Sequence, residues 1–295
     1  MFTVGKLFHL AHLVEDLDAV DRWYDEIFAC NRYYRRFEKA AQREASLLIV
    51  SDMCMEPIQP SSAPEAAGSV LNRFKARYGN RLHSIAWYVD DITALSGALA
   101  ERNIRQVGLR GEAITDPKEA VAVWTHPRDT HALLEFCEPG FAADPRLEPG
   151  WSSRFWADEH PLRIPRTSHI TVLVDHLDGA GAVYGDALLG RLLHQLTDAD
   201  GSQRAFWAVG EETVIEAVVP GNADSAEGRD HAANGEGVHA IVFATTDLDG
   251  AATFLRSKGQ RLEPAGVDTV FVNGEDSFGL RVGFTRAAIP GDTRA

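Results

Sequence analysis

Only three cysteines occur in the 295 residues, Cys30, Cys54 and Cys137, and no two are spaced as CxxC. So sparse and odd a set excludes a disulfide framework and a thiolate zinc site, and predicts free, buried thiols in a reducing compartment. Long apolar runs are missing as well. No stretch approaches the roughly 20 residues needed to span a bilayer, and the opening residues show no basic segment followed by an apolar one, so no secretory signal is expected. Basic residues are in deficit, with 29 Lys and Arg against 43 Asp and Glu, for a net charge of −14. Such a surface repels phosphate backbones and anionic lipid. Neither nucleic acid nor membrane is therefore an expected partner. A cytoplasmic protein acting on a small molecule is, with homodimerisation left open.

What is present is repetition. His9-Leu-Ala-His-Leu-Val-Glu-Asp-Leu-Asp resembles His169-Ile-Thr-Val-Leu-Val-Asp-His-Leu-Asp, and His83-Ser-Ile-Ala-Trp-Tyr-Val-Asp-Asp-Ile resembles His239-Ala-Ile-Val-Phe-Ala-Thr-Thr-Asp-Leu. Each reads as a strand meeting an Asp–Leu/Ile turn that caps a helix. Helices are predicted over 17–29, 92–102 and 248–258. Further strand-like runs follow each helix, at 45–50, 120–124, 204–208 and 267–271. Each unit then closes on a last strand, at 53–56, 132–136, 213–217 and 279–282. The chain is thus predicted to be α+β, with four βαβββ modules forming two cupped-sheet domains. Residues 1–140 make the first domain, 141–166 a linker and 167–288 the second.

Alternate side chains of a strand point to opposite faces, so a ligand on one face can sit in the cup while its neighbours meet the helix. His9, His83, His169 and His239 all open a unit's first strand. Aligning the units on their Asp turns without a gap puts Ser84 and Ala240 level with His9 and His169, so a bulge is predicted in the even units. Glu56, Glu135 and Glu216 recur in the closing strands, where the fourth unit has Arg281. A carboxylate inside an apolar strand is costly unless paired or coordinating. Imidazole and carboxylate without thiolate suit zinc, iron(II), nickel, cobalt or manganese. His9, Glu56, His83 and Glu135 are therefore the expected metal ligands. His169, Glu216 and His239, with Arg281 fourth, make a weaker set. Trp87, Tyr88, Trp124 and Trp207 are either core or pocket lining, and Cys54 and Cys137 share strand faces with Glu56 and Glu135.

The pattern His-x-Ala/Thr-x-Leu-Val-x-x-Leu-Asp, closing on Leu-Leu-Glu-Phe or Val-Ile-Glu-Ala, resembles the vicinal oxygen chelate superfamily. That superfamily includes glyoxalase I, methylmalonyl-CoA epimerase, type I extradiol dioxygenases and antibiotic-resistance proteins. The resemblance implies a divalent metal on His9, Glu56, His83 and Glu135, if units pair 1 with 2. A swapped pairing of 2 with 3 gives His83, Glu135, His169 and Glu216. It further implies an isomerase, epimerase or lyase in which Glu56 or Glu135 removes a proton and an enediolate is stabilised. Extradiol dioxygenases resemble the chain in length and unit number, but Arg281 stands where their glutamate is expected and their tail pattern is missing around 270–282. Ring cleavage at iron on His9, His83 and Glu135 is the alternative. A non-catalytic small-molecule binding protein is the third reading.

Overall fold

The computed structural model describes residues 1–120, 122–140 and 143–294. Val121, in the run expected as a strand over 120–124, and residues 141–142 of the expected linker lie outside the described residues. Strands β1 (Val4–Leu13), β2 (Asn31–Glu38), β3 (Arg43–Val50), β4 (Met53–Pro60), β5 (Arg81–Val89), β6 (Gln106–Val107), β7 (Val123–Thr125) and β8 (Leu133–Cys137) form one sheet in the order β2-β3-β4-β1-β5-β8-β7-β6. The second sheet comprises β9 (Thr167–Leu173), β10 (Arg191–Thr197), β11 (Gln203–Val209), β12 (Thr213–Val219), β13 (Gly237–Ala244), β14 (Leu262–Pro264), β15 (Thr269–Val272) and β16 (Val282–Thr285). Its order is β10-β11-β12-β9-β13-β16-β15-β14, the same path. Four modules therefore make two mixed sheets, and units pair 1 with 2 and 3 with 4. In each sheet the two first strands meet antiparallel at the centre, β1 on β5 and β9 on β13.

Helices lie on one face because the chain caps and patterns them so. Asp16 accepts from Ala19 N to start Leu17–Phe28, whose Val20, Trp23, Tyr24 and Ile27 are buried. Asp91 starts Ile92–Glu101 and Asp247 starts Leu248–Ser257 in the same way. The third unit breaks the rule. His176 stands at the cap and accepts nothing, so regular helix runs only over Leu177–Ala180 and continues as a π-helix, Gly181–Ala187. The buried helical faces of the two halves share one core, where Phe28 packs against Phe243 and Phe284. Among the described residues no helix is long and apolar enough to cross a membrane.

The expected bulges are present. Leu10 pairs with Ile85 and His12 with Leu82, which leaves one extra residue in β5 beside His83. Val238 pairs with Val172 and Ala240 with Thr171, which leaves His239 as the extra residue in β13. The segment joining the halves is not a free tether. Arg146 and Asp144 form a fully buried ion pair at 2.6 Å, and Arg146 also donates to the carbonyls of Phe8 and Asp52.

Candidate metal and substrate site

Pairing register gathers the site. His9 on β1 lies opposite Ala86 on β5, Ala86 lies beside Glu135 on β8, and Ala11 on β1 lies beside Glu56 on β4. His9, Glu56 and Glu135 therefore converge on the concave face across three adjoining strands and β8. His9 Nε2 stands 3.1 Å from Glu56 Oε2 and 3.4 Å from Glu135 Oε2, with all three side chains nearly closed to solvent. Neither His9 ring nitrogen nor Glu56 Oε2 makes an aligned hydrogen bond. The His9 ring rests edge-on against Phe8, their centroids 4.4 Å apart.

Two further residues complete the constellation. Arg43 opens β3 and donates to Glu56 Oε1 at 2.9 Å and to Glu38 Oε2 at 2.9 Å. Trp124 Nε1 donates to Glu135 Oε2 at 2.9 Å. Trp124, expected as core or pocket lining, lines the pocket. Arg43 was missed, although strand alternation held the signal: Ala45 and Leu47 share its face and are both buried. Burial alone would lower the His9 pKa, but the charges of Glu56 and Glu135 outweigh it and raise it. Burial also raises Glu56, against the pull of Arg43 and His9. At Glu135 burial is outweighed by His9, Arg43 and Trp124, so its carboxyl lies below its ordinary value and is ionised at neutral pH.

A cavity of about 300 Å³ opens over these groups, lined by Phe8, Tyr34, Trp124 and Cys137 besides the site residues. A second hollow of about 670 Å³ adjoins it, and Glu135, Trp124 and Arg43 line both. His83 belongs to the second hollow. It packs edge-on against Phe74, its Nδ1 is 3.3 Å from Ser84 Oγ, and among the described residues it forms no ion pair with either glutamate. Desolvation, with Arg43 nearby, lowers its pKa to about 4. The expected four-ligand set is therefore split three and one. Among the described residues no group of three or more His, Cys, Asp or Glu is already arranged to hold a metal ion.

The residues nonetheless fit a dication. The orphaned nitrogen and oxygen of His9 and Glu56 face each other with a third donor, Glu135, beside them. Of the cations lining the cavity only Arg43 is ion-paired with its glutamates among the described residues, to Glu38 and Glu56, and Glu135 is left without a lysine or arginine partner.

The second sheet differs at each step. Glu216 has both oxygens engaged, Oε1 by Arg204 at 2.8 Å and Oε2 by Thr171 at 2.7 Å, with His169 Nε2 3.4 Å away. Thr171 occupies the place of Ala11, so the oxygen left orphaned on Glu56 is satisfied here. The expected fourth position also needs correcting. Arg281 precedes β16, pairs with Glu263 at 3.2 Å and lies over the Phe271 ring. Val242 pairs with both His169 and Gly283, as Ala86 does with His9 and Glu135, so Gly283 is the true counterpart of Glu135. A side chain there would meet the Phe271 ring at 2.7 Å. His239 Nδ1 is instead tied to Asp230 at 2.6 Å. Phe271, Phe206 and the tail residue Ile289 pack on the strands of the second sheet. Trp87 and Trp207 are core, Tyr88 donates to Asp144, and the three thiols are free, Cys137 at the cavity wall.

Residues 166–284 match the family described as the Glyoxalase/Bleomycin resistance protein/Dioxygenase superfamily. Among solved structures, a mutant of 4-hydroxymandelate synthase from Streptomyces coelicolor aligns over 99% of this chain and 94% of its own, with 12% identity and a TM-score of 0.68. That likeness is one of fold. Methylmalonyl-CoA epimerase from Mycobacterium tuberculosis aligns over 41% of this chain and 87% of its own, with 26% identity and a TM-score of 0.39. The Streptomyces coelicolor epimerase aligns over 41% and 96%, with 28% identity and a TM-score of 0.38. Among curated proteins none matches the chain. The second half of the chain therefore matches the Glyoxalase/Bleomycin resistance protein/Dioxygenase superfamily in sequence, and the first half repeats that half's paired βαβββ fold strand for strand.

Proposed function

We propose that the protein is a divalent-metal-dependent isomerase, epimerase or lyase that abstracts a proton from a small substrate with neighbouring oxygens, in the cup of its first sheet. The observation that carries this reading is the meeting of His9 Nε2, Glu56 Oε2 and Glu135 Oε2 at the floor of a cavity. His9, Glu56 and Glu135 would hold the ion, with His83 on the adjoining wall. A divalent cation there supplies a Lewis acid for substrate oxygens.

The protein's own groups divide the remaining work. Arg43 pins Glu56 through one oxygen and leaves the other to the site. Glu135 faces both hollows, among the described residues is held only by the neutral Trp124 and by His9, and is ionised, so it is the group placed to accept the substrate's proton. Phe8, Tyr34 and Trp124 wall the smaller cavity and limit water around the anion that proton loss creates.

The test is metal content by plasma mass spectrometry on untagged protein, for the native chain, His9→Ala and His83→Ala. Near-stoichiometric zinc, nickel, cobalt, manganese or iron that vanishes in His9→Ala supports the reading. No metal after reconstitution with each ion overturns it. Glu135→Gln should then abolish exchange of a carbon-bound proton with deuterated water, followed by NMR on small α-hydroxycarbonyl compounds. Full exchange in that variant would remove Glu135 from the role of base.

A further inference from the structure

The two hollows differ in charge. The smaller one balances Arg36, Lys39 and Arg43 against Glu38, Glu56 and Glu135. The larger one carries Lys39, Arg43, Arg73 and Arg110 against only Glu65 and Glu135. In a chain whose acids outnumber its bases 43 to 29, that wall reverses the overall balance.

Three of its cations are also uncommitted. Among the described residues Lys39, Arg73 and Arg110 form no ion pair, whereas Arg43 is engaged by two glutamates. Arg73 donates to the carbonyl of Gly68, and Arg110 to the carbonyl of Ala40 at 3.3 Å. Those contacts orient the guanidinium groups without neutralising them. The three are drawn from separate elements: the β2–β3 turn, the helix Val70–Tyr78 and the turn after β6. Each is exposed, and all three line one hollow. At about 670 Å³ the hollow is within the range of small-ligand sites, roughly 300–1,000 Å³. Like charges gathered on one wall repel unless an anion lies between them, and a guanidinium offers paired donors to phosphate or carboxylate.

We propose that the substrate is bipartite, with a compact reacting head over Glu135 in the smaller hollow and an arm bearing phosphate or carboxylate in the larger one, held by Lys39, Arg73 and Arg110. The proposal rests on the placement of the reacting site in the first sheet. Glu135, Trp124 and Arg43 are the shared wall across which head and arm join.

Calorimetric titration of the full chain, stripped of metal and freed of chelator, tests this with inorganic pyrophosphate and, separately, glutarate. The expected result is binding of at least one probe, weakening as salt rises from about 50 to about 200 mM. In the double variant Arg73→Ala/Arg110→Ala the dissociation constant should rise about tenfold or more. Arg229→Ala, an exposed cation of the second half, should bind as the native chain does. Binding of pyrophosphate alone assigns a phosphate arm, and of glutarate alone a carboxylate arm. Failure of both probes to bind, or equal binding in the double variant, overturns the proposal. Metal content of the double variant separates the two readings, since it should match the native chain while His9→Ala loses metal. Native-like metal without anion binding sinks only the arm. Anion binding lost in the double variant, with no metal in the native chain, sinks only the metal reading.

Discussion

Replacing Arg43 with methionine removes the one positive charge packed among Glu56, Glu38 and Glu135 and keeps much of the side chain's bulk. The Arg43 side chain is 13% exposed and that of Glu56 is 6% exposed, so water screens the loss poorly. An uncompensated carboxylate has one escape, which is to take up a proton. From an ordinary value of 4.5, protonation costs about 3.4 kcal/mol at pH 7 and about 0.7 kcal/mol at pH 5, at 1.36 kcal/mol per unit. That sets a ceiling on the penalty at Glu56. Burial already raises Glu56 with Arg43 in place, so the ceiling is not reached. The expected loss is about 2–3 kcal/mol at pH 7 and below about 1 kcal/mol at pH 5. The sign follows from proton counting. The variant's folded state binds more protons than its unfolded state between pH 4.5 and the raised value, so its relative stability falls as pH rises. Urea unfolding of both proteins at the two pH values, with EDTA present, measures this. An equal loss at pH 5 and pH 7, or a loss below about 1 kcal/mol at pH 7, would refute the charge argument.

His12 is fully buried between Tyr24 and the carbonyl of Phe278, and desolvation lowers its pKa from 6.5 to about 4. The unfolded chain binds its proton first, so stability should fall as pH drops from 6.5 towards 4, by about 3 kcal/mol from this group, and His12→Gln should flatten that limb in denaturant titrations. Arg146→Met strands Asp144 and the Phe8 carbonyl in the interior, and should cost about 3–5 kcal/mol by the same unfolding assay. Gly210 has φ +65°, and a Cβ there would sit 2.2 Å from the carbonyl oxygen of Gly5 in the other half. Gly210→Ala should lower the melting temperature through a backbone strain of at least about 1–2 kcal/mol; an unchanged melting curve would show that the two halves do not hold each other there.

Much of this was legible in the sequence because it is written four times. The recurrence of a histidine opening the first strand and a glutamate in the last located His9, Glu56 and Glu135, and it called for the bulges found at His83 and His239. The failures came where one dimension ran out. Arg43 lies 13 residues from Glu56 along the chain and meets it only because β3 and β4 pair. Arg281 is expected in the place of Glu135, but β16 begins only at Val282 and pairs Gly283, two residues further on, into that place. His83 has the right residue type and position, yet its ring turns to Phe74, because a bulge frees two consecutive side chains and repetition does not say which one faces inward. The capping rule failed at His176 for a smaller reason: the aspartate stands one residue early, and a cap displaced by one position holds no helix end.

Arg146 ties the connection between the halves to the candidate site. Its guanidinium grips the carbonyl of Phe8, the residue that carries His9 on its next peptide, from a point beyond the end of the first sheet. Residues 1–140 contain every strand of the first cup and each glutamate on its floor, but not the clamp on the backbone beside the histidine. The groups that hold the site's shape therefore extend at least to Arg146, past the sheet that displays it. By fold the molecule divides at the linker, but by site it does not divide there.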